Sequence, residues 1–112
     1  MSIWQEKLQD KRWLIHVEGR LDQQLTPALE TKLHQLLDQD GVQLIVNLAK
    51  TNYINSGGLR CLVTAWRKAG QQKGTLLICG LNGRLQEIFE MVGFDQLFDI
   101  YPNLESAQQQ LP

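Results

Sequence analysis

The sequence predicts an α/β fold: one mixed sheet of the order ββαβαβαβα, with helices packed on it. Three observations predict it. Segments of strand length alternate with segments whose apolar residues recur at helical spacing, one segment (Val42 to Leu48) is apolar almost throughout, and two strand-like segments open the chain with no helix between them. Strands that alternate with helices pair in parallel through right-handed crossovers, while an opening hairpin adds an antiparallel edge. The length of 112 residues suits a single domain over 1–112.

Ile3 to Gln9 and Arg12 to Glu18 form the hairpin, turning at Asp10-Lys11, with Trp13, Ile15 and Val17 alternating against Leu14 and His16. Gly19-Arg20-Leu21-Asp22 then leaves the second strand. Thr26-Pro27 supplies an N-cap and a proline at the first helical position, and Leu29, Leu33, Leu36 and Leu37 make one apolar stripe that ends at Asp40-Gly41. Val42 to Leu48 is the central strand, covered on both faces. Ala49 to Asn55 reads as a turn-prone stretch before a second helix, carried by Leu59, Leu62, Val63 and Trp66 and stopped at Gly70. Thr75 to Cys79 is the next strand. Leu85, Ile88, Phe89 and Val92 give a third helix ended by Gly93, Leu97 to Tyr101 a last strand, and Leu104, Ala107 and Leu111 a short closing helix.

Composition excludes several classes. Hydrophobic residues make up 43% and charged residues 21%, which is the balance of a folded globular chain rather than a disordered one. Lys plus Arg number 11 against 12 Asp plus Glu, a net charge of -1, so no cationic excess is available for nucleic acid. No apolar run approaches the roughly 20 residues that span a bilayer, and Met1-Ser2-Ile3-Trp4-Gln5-Glu6-Lys7 has no basic-then-apolar leader, so a soluble, cytoplasmic protein without a membrane partner is expected. Cys61 and Cys79 read as packed, reduced thiols. Two isolated histidines and two distant cysteines give no metal-ligand spacing, and no cofactor is expected.

In open α/β sheets the functional crevice lies beyond the carboxyl ends of the parallel strands. Two connections reach that end, Gly19 to Leu25 and Thr51 to Leu59. The second is the stronger candidate, because Ser56 falls at or beside a helix N-cap, where free backbone N–H groups and the positive end of the helix dipole favour an anion. Gly57 and Gly58 each cost about 1 kcal/mol against alanine in a helix; two missing side chains open an approach to the Ser56 hydroxyl. An N-capping serine in ordinary turn chemistry reads the same way. Asp22 is either a turn former or a carboxylate beside the Ser56 segment.

Together these residues resemble the STAS domain of bacterial anti-sigma factor antagonists. The family's strand-loop-helix signature, usually Asp-Ser-Ser/Thr-Gly-Leu, is similar to Ile54-Asn55-Ser56-Gly57-Gly58-Leu59. Gly19-Arg20-Leu21-Asp22 resembles its Gly-x-Leu-Asp element, and the block Leu77-Ile78-Cys79-Gly80-Leu81-Asn82 through Leu85, Ile88, Phe89, Gly93, Phe94, Leu97 and Phe98 is similar to its last strand-helix-strand segment. The resemblance implies a regulatory binding protein rather than an enzyme. Ser56 would be the phospho-acceptor for an ATP-using anti-sigma factor that is also a serine protein kinase, with a metal-dependent serine phosphatase as the reversing partner. Asp22, Asn55, Ser56, Gly57, Gly58, Leu59 and Arg60 would form the partner-binding surface. Asn55 stands where the family usually has Asp, and Gly57 where it has a second Ser or Thr.

Rival readings lack their signatures. A serine hydrolase elbow needs glycine where Ile54 stands and a histidine after the serine, yet His16 and His34 both precede it. A nucleotide-binding STAS module would use the same helix N-terminus, but no Gly-x-x-x-x-Gly-Lys-Ser/Thr or Gly-x-Gly-x-x-Gly segment is present. The domain type also serves as an accessory subunit of transporters and signalling assemblies, for which an exposed Trp4 would be suited.

Overall fold

The structure is a computed structural model that describes residues 2–111. Strands β1 (Ser2–Gln9) and β2 (Arg12–Leu21) form an antiparallel hairpin whose turn holds Lys11 at φ +62°. Helix α1 (Thr26–Leu37), strand β3 (Gln43–Ile54), helix α2 (Ser56–Gln71), strand β4 (Thr75–Cys79), helix α3 (Gly83–Met91), strand β5 (Asp99–Tyr101) and helix α4 (Leu104–Gln109) follow, with a 3₁₀ turn at Phe94–Gln96. The sheet order is β1-β2-β3-β4-β5, and β2 through β5 pair in parallel. This is the mixed sheet expected from the alternation of periods.

A sheet that grows in one direction through right-handed crossovers puts every crossover helix on the same side. Accordingly Leu29, Leu33 and Leu37 of α1, Leu62 and Ala65 of α2, and Leu85 and Phe89 of α3 share one core with Ile15, Val17, Leu44, Val46, Leu76 and Ile78. Helix α4 comes after the last strand and crosses the opposite face, where Ala107 packs on Leu14, Ile45, Leu77 and Cys79. The central strand is thus apolar on both sides for two different reasons. Trp13 and Trp66 pack at the margin of the larger core. Trp4 is half-buried, stacked on the His16 ring at 4.8 Å between centroids.

The structure corrects four local expectations. Thr26 is not the cap of α1: it is the first helical residue, the cap position is Leu25 with no side-chain hydrogen bond, and Thr26 Oγ1 donates to the Asp22 carbonyl at 2.7 Å. Ala49 to Asn55 is not a turn, since β3 continues to Ile54 and Gly19 to Leu21 extend β2 beside it, with Leu21 opposite Ile54. Polar residues there stay extended because β2 supplies a ladder that no local pattern announces. The last strand is three residues, because Leu97 and Phe98 instead close the 3₁₀ turn before it, both amides donating to the Phe94 carbonyl. Val92 lies past the end of α3 and is 49% exposed rather than part of its buried stripe.

Candidate functional site

The extended parts of β2 and β3 run past the last β3–β4 pair, Asn47 with Cys79, and end together. Asp22 and Asn55 therefore leave adjacent strands at the same level, tied by Asn55 N–H donating to the Leu21 carbonyl at 3.2 Å. Helix α2 starts at this point. Asn55, not Ser56, is its cap: its backbone is extended and its Oδ1 accepts the Gly58 amide proton at 2.9 Å. Leu59 N–H reaches the Asn55 carbonyl at 3.0 Å, so the amides of Ser56 and Gly57 are those that helix geometry leaves without an intrahelical acceptor.

Ser56 is the first residue of the helix and exposed, and its Oγ makes no hydrogen bond among the described residues. The first turn carries no acidic side chain. The positive end of the dipole is thus unopposed beside that hydroxyl. Arg60 is exposed one turn on, and its Nη2 folds back to within 3.9 Å of where a Gly57 side chain would begin. Hydroxyl, free amides and guanidinium converge on a patch that suits an oxyanion.

The two glycines have different surroundings. A Cβ on Gly57 would meet only Asn55 Oδ1 at 3.4 Å and Arg60 Nη2 at 3.9 Å, so that side of Ser56 is open. Gly58 is buried, and a Cβ there would stand 2.9 Å from Ile54 Cγ1 and 3.0 Å from Leu21 Cγ. Its missing side chain lets α2 close on the β2–β3 arm, in place of the access expected for it. Leu59 is likewise a core residue, 8% exposed, and holds the helix start from beneath instead of facing a partner.

Asp22 serves the turn after β2: its Oδ1 accepts Gln24 N–H at 3.0 Å and its carbonyl accepts the amides of Leu25 and Thr26. Its Oδ2 also lies 3.8 Å from Arg20 Nε, and the Arg20 guanidinium sits 3.9 Å from the centroid of the Tyr53 ring. Arg20 and Tyr53 carry no local pattern in the sequence that marks them as a pair. Their register as neighbours across β2 and β3 was the missing signal, since it depends on strands the sequence did not announce.

A groove of about 700 Å³ between α1 and α2 opens beside Ser56, Gly57 and Arg60, with Gln23, Thr26, Glu30 and Thr64 along it. Cys61 lies at its base, a buried thiol that burial, helped by the nearby Glu30 carboxylate, pushes up to about 11. Neither histidine bonds Ser56. His16 pairs with Glu6 and Asn47, and His34 lies 3.3 Å from Lys68 Nζ. Among the described residues no group of three or more His, Cys, Asp or Glu could hold a metal ion, and no helix is long and apolar enough to cross a membrane.

The sequence profile of the STAS domain matches residues 5–107. The anti-sigma-B factor antagonist of Staphylococcus aureus is 33% identical over 98 residues, which cover 87% of this chain and 90% of that protein. Among solved structures, an anti-sigma factor antagonist from Mycobacterium paratuberculosis superposes with a TM-score of 0.87 at 23% identity over 98% of this chain and 92% of that one. SpoIIAA of Bacillus, at 16% identity and over 97% of this chain, gives 0.84 in its unphosphorylated form (95% of that chain) and 0.77 in its phosphorylated form (98%). With that profile over nearly all of its length and that fold around its sheet, the protein belongs to the STAS domain family.

Proposed function

We propose that this protein is an anti-sigma factor antagonist switched by phosphorylation of Ser56. In the unmodified state it binds, in the cytoplasm, an anti-sigma factor that is also an ATP-using serine kinase, and so releases a sigma factor. Phosphorylation ends the contact, and a metal-dependent serine phosphatase restores it. The observation that carries this reading is the exposed, unbonded Ser56 hydroxyl on the first turn of α2, beside two free amides and Arg60. Asp22, Asn55, Ser56, Gly57 and Arg60 form the contact surface; Gly58 and Leu59 support it from below. Residues 1–112 act as one domain, by binding rather than catalysis.

The size of the switch follows from charge. A phosphate brings about -1.5 to -2 charges at neutral pH, and an uncompensated charge in a buried contact costs roughly 3–5 kcal/mol. At about 1.4 kcal/mol per tenfold, the complex weakens by roughly a hundredfold to several thousandfold. Within the free domain the helix dipole and Arg60 accommodate the phosphate, so the sheet need not rearrange. That SpoIIAA matches this one fold in both of its forms supports a local switch.

Incubation of the protein with extract of its own cells and ATP, followed by mass spectrometry, tests the reading. A gain of one phosphate on Ser56, absent from Ser56→Ala, is expected, together with loss of the captured partner. A chain that stays unmodified under conditions that phosphorylate other substrates overturns it.

A further inference from the structure

Four strands contribute to one line of polar side chains on the sheet face opposite α1, α2 and α3. Glu6 Oε1 lies 2.9 Å from His16 Nε2, His16 Nδ1 lies 3.2 Å from Asn47 Nδ2, and Asn47 Oδ1 accepts both the Ala49 amide proton at 3.0 Å and the Cys79 thiol at 3.7 Å. Their protons follow from the one donor that cannot change. Ala49 N–H fixes the Asn47 oxygen, which turns the Asn47 NH₂ toward the ring; an NH₂ only donates, so Nδ1 is bare and the neutral ring donates from Nε2 to Glu6.

This line crosses the β2–β3 ladder at the first of its two irregular points, the second falling between Gly19 and Arg20, where Thr51 and Tyr53 are their partners. His16 faces Asn47 and Glu18 faces Lys50, so Leu48 and Ala49 together oppose Val17 in a bulge. Side chains answer the groups it leaves: Asn47 Oδ1 takes Ala49 N–H, and Thr51 Oγ1 donates to the Val17 carbonyl at 2.8 Å. Beyond the bulge β3 has lost β4, and Lys50 to Ile54 run on β2 alone to Asn55 and Ser56. Gly80, at φ +83°, approaches so closely that a Cβ there would stand 2.9 Å from Ala49 Cα. The bulge is the root of the arm that carries the site.

We propose that Asn47 is a positioning residue for the Ser56 arm and that the proton state of His16 sets whether it can act. Imidazole is the side chain that changes charge between about pH 5 and 8. A proton on His16 Nδ1 would oppose the Asn47 NH₂ donor to donor. To accept that proton Asn47 must turn its oxygen to the ring, which withdraws it from Ala49 N–H; proton uptake and the locked bulge exclude each other. Of the charged groups that face the ring, Glu6 from β1 holds Nε2 and Lys50 from β3 lines the same cavity of about 180 Å³. Glu18 lies two residues along β2, Cys79 on β4 is neutral, and Trp4 stacks on the ring. The importance of the arm rests on the function proposed above; the coupling of His16, Asn47 and Ala49 does not.

Nuclear magnetic resonance of the whole ¹⁵N-labelled chain between pH 5 and 8 tests this. The neutral His16 ring is expected as the Nε2–H tautomer, and the amide signals of Ala49 and of Asn55 to Gly58 should shift with the same midpoint as the ring. Glu6→Gln should move that shared midpoint to lower pH. Asn47→Asp, whose two oxygens can accept Ala49 N–H and the ring proton together, should move it higher. A neutral ring protonated on Nδ1, an Ala49 amide indifferent to the ring, or a midpoint moving oppositely in either variant overturns the coupling. Asn55 to Gly58 amides that stay fixed while Ala49 shifts overturn the positioning role. Ser56→Ala should titrate like the wild type, so failure of the phosphorylation reading would leave this result intact.

Discussion

The Asn55 side chain closes the turn that ends at Gly58, its Oδ1 receiving the Gly58 amide proton at 2.9 Å while the extended Asn55 backbone hands the chain from β3 into α2. The asparagine standing in place of the family's usual aspartate therefore keeps the cap and drops its charge. Ser56, on the helical side of this turn, is left free of capping duty.

Asn55→Ala should lower stability by about 1 kcal/mol, the usual worth of such a cap. Asn55→Asp should not, because a carboxylate oxygen caps equally and its charge suits the dipole. Urea unfolding midpoints of the three proteins at pH 7 check this; equal midpoints for the alanine variant and the wild type would contradict the cap.

Gly57→Ala and Gly58→Ala should move the melting temperature in opposite directions. At Gly57 the added methyl meets ordinary contacts, and alanine gains up to about 1 kcal/mol of helix propensity. At Gly58 it drives into Ile54 and Leu21, an overpacking of about 1–3 kcal/mol that outweighs the same gain. Calorimetry of the two variants reads the sign directly. The first should also slow phosphorylation by crowding Ser56.

Cys61 and Cys79 should resist alkylation at pH 8 until the chain is unfolded. Burial pushes both thiols from 9.0 up to about 11, with Glu30 adding to the effect at Cys61. Because the folded chain keeps the neutral thiols, the stability they contribute is full below about 9 and is lost as pH climbs toward about 11. Mass-spectrometric counting of labelled thiols with and without urea checks the first statement. Rapid labelling of the native protein would refute it.

Lys68 of α2 should hold the Asp38 carboxyl below its ordinary range. Its Nζ donates to Asp38 Oδ1 at 2.5 Å at the end of α1, and the hydrogen bond, followed by the ammonium charge, favours the carboxylate. The sign is that of a depressed acid: its stabilisation is present above the ordinary carboxylate value and disappears as pH falls through the folded one. Carbon-detected titration of Asp38 should move upward in Lys68→Met; an unchanged titration would show that the pair does not persist in solution.

Residue spacing alone specifies the order of strands and helices, the two-faced central strand and the serine at a helix start, because these rest on periodicity and turn chemistry among residues a few positions apart. It misplaced the cap at Thr26 and read Ala49 to Asn55 as a turn. It also assigned Gly58 to access and left His16 without a task. Except at Thr26, whose hydroxyl meets the Asp22 carbonyl four positions back, each of these depends on a partner roughly 10 to more than 30 positions away, or on how two elements close on one another: β2 holds Lys50 to Ile54 extended, Leu21 stands over Gly58, Glu6 and Asn47 bracket His16. Local pattern encodes which element a segment prefers. Only the assembled sheet decides which side chains meet across it, since hydrogen-bond partners and excluded volume are properties of neighbours in space.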